Sequence, residues 1–174
     1  HGVRYVPPVQ DPHGGLRDLA VRRLMTPGAP EASFDDDPLR MMRAARFASQ
    51  LGFVVDPAVI GAMTAMAERI TIVSAERVRD ELVKLTIGAA PRVGFELLVD
   101  TGLADHVLPE LPKMRLTVDE HGRHKDVYEH SMTVLDQAVA LESTHEPTTE
   151  PDFVLRSLDA DSIPTILNRA PYAD

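Results

Sequence analysis

In the run Asp37-Pro38-Leu39-Arg40-Met41-Met42-Arg43-Ala44-Ala45-Arg46-Phe47, arginine recurs at every third position. On an α-helix that spacing makes an oblique row across roughly 120° of one side. Three guanidinium groups so close repel one another unless something anionic sits among them. A triphosphate or an RNA backbone would meet that need. So would carboxylates of the chain itself, which would make this a capped helix with internally paired arginines. A guanidinium also offers forked donors to a base edge, and a carboxylate accepts from an exocyclic amine. Asp37 and Arg40, one turn apart, have the chemistry to read a base together.

The element carrying these groups is well marked. Asp37 is placed to N-cap a helix, and Pro38 suits the first helical position, where its missing N–H costs nothing. Asp35, Asp36 and Asp37 would sit at the positive end of the helix dipole. The helix should run to about Gln50 and stop at Gly52, with Met41, Ala44, Ala48 and Leu51 facing a core.

Other elements follow from similar signals. Val3–Val9 reads as a short strand, Asp11–Gly15 as a turn, and Leu16–Met25 as a helix that Pro27, Gly28 and Pro30 end. A helix is expected from Pro57 to about Arg69. Ser74 caps another, with Val78, Leu82 and Leu85 as its apolar stripe and Gly88 as its end. Pro91 opens a short helix that Gly102 closes, and Pro109 and Pro112 mark an irregular link. Lys125–Glu142 reads as a long helix, with Tyr128, Met132, Leu135 and Val139 in register. Residues 143–151 form a polar linker, Phe153–Leu158 one or two helical turns, and the rest of the tail is mobile loop. Helix formers dominate and β-branched alternation is scarce. The expected fold is therefore all-α, with at most a short remnant strand near the N-terminus.

Composition narrows the function. The 174 residues carry a net charge of −9 and no cysteine. A disulfide framework and a thiolate metal site are excluded. An acidic chain is a poor general binder of phosphate backbones, so any nucleic-acid contact must be a local arginine patch. No apolar run approaches the ~18 residues of a membrane span. Residues 1–10 lack the charged head and apolar stretch of a signal peptide, and no initiator Met is present. Both points suit a cytoplasmic protein entered partway along.

The run of residues 36–53 closely resembles the neck-helix motif of class II tRNA nucleotidyltransferases and bacterial poly(A) polymerases. The family form is Glu-Asp-Pro-x-Arg, then two further arginines, the second followed by Phe; here Asp36 stands in the Glu position. The resemblance implies that Asp37 and Arg40 pair with the base of an incoming CTP or ATP, and that Arg43 and Arg46 contact the nucleotide. Residues 11–19 resemble the family's link from catalytic head to neck. Residues 74–84 resemble its next conserved helix, which gives Glu76 and Arg77 a supporting role. By themselves, Arg77, Glu81 and Lys84 read as a solvated charge ladder. Residues 108–111 and 124–130 extend the likeness, the second resembling the opening of an HD-type domain with His130 as its first metal ligand. No His-Asp dipeptide exists in the chain, so no metal site is expected.

The resemblance divides the chain into 1–27, the end of a nucleotidyltransferase head; 28–115, a helical neck that binds nucleotide and RNA; 116–142, the incomplete start of an HD-like domain; and 143–174, linker and tail. Its implied activity is addition of CCA, or of A alone, to tRNA or other RNA 3′ ends, with ATP and CTP as substrates and Mg²⁺ as cofactor. In the family the metal carboxylates lie in the head as Gly-Ser followed by Asp-x-Asp. Asp35-Asp36-Asp37 and Asp159-Ala160-Asp161 do not follow a Gly-Ser on a predicted strand. The chain alone is therefore expected to bind without catalysing. Two other readings stand beside this one: a stand-alone helical RNA- or protein-binding module, and a fragment of an HD phosphohydrolase.

Overall fold

A computed structural model describes residues 10–116 and 127–144. The chain divides into two units, His1–Val139 and Ala140–Asp174, and the candidate site residues all belong to the first. The described part of the second is residues 140–144.

The described elements are almost all helical. α1 spans Gly15–Ala20, α2 Pro30–Asp36, α3 Leu39–Leu51, and α4 Pro57–Met66, prolonged by a 3₁₀ turn, Ala67–Ile72. α5 spans Ala75–Thr86, α6 Pro91–Asp100, α7 Ala104–Val107, α8 Glu110–Lys113, and α9 Val127–Thr144. Two dipeptides, β1 (Arg23–Leu24) and β2 (Val54–Val55), pair in parallel with Arg23 opposite Val54 and Leu24 opposite Val55. Among the described residues no helix is long and apolar enough to cross a membrane.

α3 is the central element. It packs against α5 and α6, and its Leu39, Met41, Met42, Ala45 and Ala48 are buried with Val78 and Leu85 of α5 and Leu98 of α6. Its stop is as expected: Gly52 adopts the left-handed conformation, φ 62°, and donates its N–H to the Ala48 carbonyl. The expected core face is partly displaced, because Leu51 is half exposed. Three hydrogen bonds tie the packing helices. Ser49 Oγ donates to the Leu85 carbonyl at 2.7 Å, the Ala90 N–H donates to the Ser49 carbonyl at 2.9 Å, and Gln50 Nε2 donates to the Lys84 carbonyl at 3.1 Å.

Three expectations are corrected. The helix expected over Leu16–Met25 ends at Ala20: Leu16 and Leu19 find no core, Arg22 turns left-handed at φ 53°, and Arg23–Leu24 joins the strand pair. Residues 30–36 form α2, so Asp35 and Asp36 lie in its last turn rather than before α3. Carboxylates at a helix C-terminus are unfavourable to its dipole; Arg69 and Arg40 offset them at 2.8 and 2.6 Å. The link around Pro109 and Pro112 is made of short helices, α7 and α8, because Ala104 and Leu111 are buried and hold each turn against the body. The linker expected from residue 143 starts later, because Ser143 and Thr144 close α9; the strand expected at Val3–Val9, the rest of the linker, the turns over Phe153–Leu158 and the rest of the tail lie outside the described residues.

Within the first unit, α9 docks by burying Tyr128 and Met132 beside Leu111. Arg115 lies over the Tyr128 ring, 4.5 Å from its centroid, and burial pushes the Tyr128 phenol upward against the opposing pull of that guanidinium. Arg92 of α6 reaches Glu96 at 2.7 Å, Glu129 at 2.7 Å and Asp136 at 3.3 Å. Hydrogen bonds that it donates to Glu96, then to Glu129, raise its pKa further above the ordinary guanidinium value. Arg92→Met should therefore speed amide exchange over residues 128–139 at low salt, with the difference shrinking as salt screens the native pairs. Unchanged exchange at low salt would assign the docking to the contacts around Tyr128 and Met132 rather than to Arg92.

Candidate nucleotide-binding site

The site grows from the junction of α2 and α3. Asp37 breaks the helix between them with an extended backbone, φ −144° and ψ 99°. Its Oδ1 accepts from the Leu39 N–H at 3.2 Å, the capping interaction expected of it. Its other oxygen, Oδ2, faces Arg77 of α5 at 3.4 Å and Arg43 at 4.0 Å. One carboxylate thus starts α3 and joins it to α5.

The three α3 arginines have different surroundings. Arg40 is held by α2: its Nη2 lies 2.6 Å from Asp36 Oδ2, and its Nη1 donates to the Ser33 carbonyl and to Ser33 Oγ, both at 3.1 Å. Arg43 is loosely held, 3.6 Å from Glu81 Oε1 and 4.0 Å from Asp37 Oδ2, with a side chain 42% exposed. Arg46 is pinned and only 17% exposed. Its Nε sits 2.7 Å from Glu81 Oε2, a contact close in distance but not aligned as a hydrogen bond. Its Nη1 donates to Gln50 Oε1 at 3.2 Å, and its guanidinium carbon lies 4.1 Å from the Phe47 ring centroid.

The buried stripe of α3 turns its opposite flank, Arg40, Arg43, Ala44 and Phe47, toward a cavity of about 440 Å³. The other walls come from Leu24 of β1 and residues 25–27 after it, from Ser33 and Phe34 of α2, and from Val59 of α4. This volume falls in the range of about 300–1,000 Å³ typical of small-molecule pockets. Two guanidinium groups stand in an otherwise largely apolar lining.

Of the expected site residues, Asp37, Arg43, Arg46 and Arg77 join one network with Glu81. Arg40 lines the cavity from its own anchor on Asp36 and Ser33. Glu76 is exposed in the first turn of α5 and does not join the network. Glu81, only 7% exposed at its side chain, is the brace between the helices. The signal for it lay in the sequence: three residues after Val78 and four before Leu85, it falls on the buried stripe, where a carboxylate requires a cation. Asp35, Asp36 and Asp37 each meet different arginines, and among the described residues no three His, Asp or Glu side chains gather as metal ligands.

Comparison with known proteins gives the same direction. Residues 52–114 match the family model described as "Probable RNA and SrmB-binding site of polymerase A". The CCA-adding enzyme of Levilactobacillus brevis is 42% identical over 120 residues, covering 65% of this chain and 30% of the relative. The multifunctional CCA protein of Cupriavidus pinatubonensis is 35% identical over 146 residues, covering 81% of this chain and 34% of the relative. The chain thus spans about a third of the length of these relatives. A crystal structure of the Bacillus stearothermophilus CCA-adding enzyme in complex with CTP superposes with a TM-score of 0.53 at 39% identity, covering 54% of this chain and 24% of that one. By motif, sequence and fold, the chain is similar to a segment of the class II CCA-adding enzymes and bacterial poly(A) polymerases.

Proposed function

We propose that this chain supplies nucleotide selection and RNA binding to a tRNA nucleotidyltransferase that adds CCA, or A alone, to RNA 3′ ends. The observation that carries this reading is the cavity on α3, where Arg40 and Arg43 stand in the lining and the Asp37 carboxylate is anchored at the start of the same helix. Asp37 accepts from an exocyclic amine, which cytosine and adenine possess and uracil lacks. Arg40 donates to a ring nitrogen or carbonyl of the same base. Its two anchors on α2 limit the directions its guanidinium takes.

Arg43, loosely paired and half exposed, is the cation free to turn toward ribose or phosphate. Arg46 acts from behind the cavity by holding Glu81 and the Phe47 ring. The RNA lies against the segment 52–114, in keeping with the family description. Mg²⁺ would assist the transfer itself by stabilising the attacking and leaving oxygens. The carboxylates of Asp35, Asp36 and Asp37 do not fit such a role, because each is committed to arginine. In this reading the metal ligands come from other parts of the full-length enzyme, and the chain alone should not extend RNA.

The test is nucleotide choice in the full-length enzyme carrying this segment. Asp37→Ala and Arg40→Ala should relax discrimination among CTP, ATP, UTP and GTP by about 1–3 kcal/mol, the worth of a bidentate base contact. Arg43→Ala should weaken all four alike, because phosphate and sugar contacts carry no base information. If Asp37→Ala and Arg40→Ala slow every nucleotide equally, α3 is scaffolding and the reading is wrong.

A further inference from the structure

Among the described residues, Phe47 is the one exposed aromatic side chain. A phenyl ring left at the surface of a chain with only 5% aromatic residues needs a reason. Two observations give it one. The ring lines the α3 cavity together with Arg40, Arg43 and Ala44. It is also held in place, because the Arg46 guanidinium covers it at 4.1 Å and is itself fixed by Glu81 and Gln50. A cation over a ring face restrains the ring as well as attracting it.

Arg40 and Phe47 lie seven residues apart, about 10 Å along the helix axis. The cavity flank of α3 therefore has guanidinium groups toward one end, the small Ala44 between, and a phenyl ring toward the other. Part of the remaining wall is apolar, with Met25, Pro27 and Phe34 among its members. A flat π-surface with cations nearby, inside a slot with apolar walls, matches a nucleobase attached to phosphates.

We infer that Phe47 is a stacking platform for a nucleobase, distinct from the edge-reading pair Asp37 and Arg40. The base belongs either to the incoming nucleotide or to the 3′-terminal residue of the RNA, which share this chemistry. The identity of the ligand rests on the function proposed above; the stacking geometry does not require that Asp37 or Arg40 choose the base.

The chain has no tryptophan, so Phe47→Trp installs a single indole at the proposed contact. CTP, a short RNA ending in CC, and inorganic tripolyphosphate are titrated separately while emission is followed. Saturable quenching is expected from at least one base-bearing ligand and not from tripolyphosphate. Quenching by CTP assigns the platform to the incoming nucleotide; quenching by RNA assigns it to the 3′ end. Phe47→Leu, which keeps apolar bulk, should weaken binding of the quenching ligand by about tenfold or more, the loss expected of a removed base–aromatic stack. Phe47→Tyr should retain it. The inference is overturned if no base-bearing ligand quenches, if tripolyphosphate quenches equally, or if Phe47→Leu binds as tightly as the parent. Quenching that persists in Asp37→Ala and Arg40→Ala backgrounds, with nucleotide choice unchanged, would remove the base-reading proposal and leave the platform standing.

Discussion

Glu81→Ala should destabilise the chain by about 3 kcal/mol, toward the lower end of the 3–5 kcal/mol typical when one partner of a buried ion pair is removed. The Glu81 side chain is 7% exposed and lies between two guanidinium groups, 2.7 Å from Arg46 and 3.6 Å from Arg43. Truncating it strands the Arg46 charge, which is 17% exposed and hemmed in by Gln50 and Phe47. Arg43 adds little to the loss, because it is 42% exposed and water screens it. Glu81→Gln keeps the shape and one acceptor but not the charge, so its cost should fall between. The double change Glu81→Met with Arg46→Met should recover most of the stability, since an apolar pair of similar volume avoids desolvating two charges. Urea unfolding of the four proteins reads this directly, provided the slope m stays constant. A Glu81→Ala cost below about 1 kcal/mol would mean that water reaches the pair and that α3 and α5 are held by apolar packing and the Ser49 and Gln50 hydrogen bonds.

The same carboxylate shows where reading along the chain stops. The α3 helix was legible because its signals are local: a capping Asp37, Pro38 at the start, and Gly52 at a left-handed stop. The apolar stripe of α5 and the Pro91 start of α6 were legible for the same reason. Glu81, taken with Arg77 and Lys84, looked like a solvated ladder along one helix. Its cations in fact come from α3, across a crossing that no spacing within α5 reveals. Asp35 and Asp36 looked like charges at the positive end of the α3 dipole, because an acidic run before a proline fits that pattern. The helix they actually end, α2, is held by Phe34, a single aromatic at 1% exposure, too short a signal for a periodicity test.

The candidate site divides along the same line. That Asp37, Arg40 and Arg43 lie near one another could be read from type and spacing, since Asp37 sits just before α3 and the two arginines are one turn apart on it. How free each one is could not. Arg40 and Arg46 are equivalent in the repeat, yet α2 holds Arg40 at the cavity while α5 and the Phe47 ring pin Arg46 behind it. Only the packing of α2 and α5 on either side of α3 separates them.

Gly94→Ala should destabilise the chain by about 1–2 kcal/mol, although alanine is the better helix former. Gly94 lies buried inside α6, where alanine should gain roughly 1 kcal/mol in helix propensity. A methyl group there would stand 2.7 Å from Leu85 Cγ, 2.9 Å from Leu85 Cδ1 and 3.0 Å from the Ala45 carbonyl oxygen. Leu85 and Ala45 are both fully buried, and the closest atom is a branch carbon rather than a flexible end. α6 cannot simply withdraw, because the Ala90 N–H is bonded to the Ser49 carbonyl of α3. Overpacking of this kind costs about 1–3 kcal/mol, occasionally more, and here it outweighs the propensity gain. Gly61 is the internal control. It lies exposed in α4 with no atom within 4 Å of where a methyl would go, so Gly61→Ala should stabilise by about 0.5–1 kcal/mol. The two substitutions should therefore shift the urea midpoint in opposite directions. If Gly94→Ala raises it as Gly61→Ala does, α6 has room to move from α3, and the close crossing that sets the position of the arginine helix is not the constraint described.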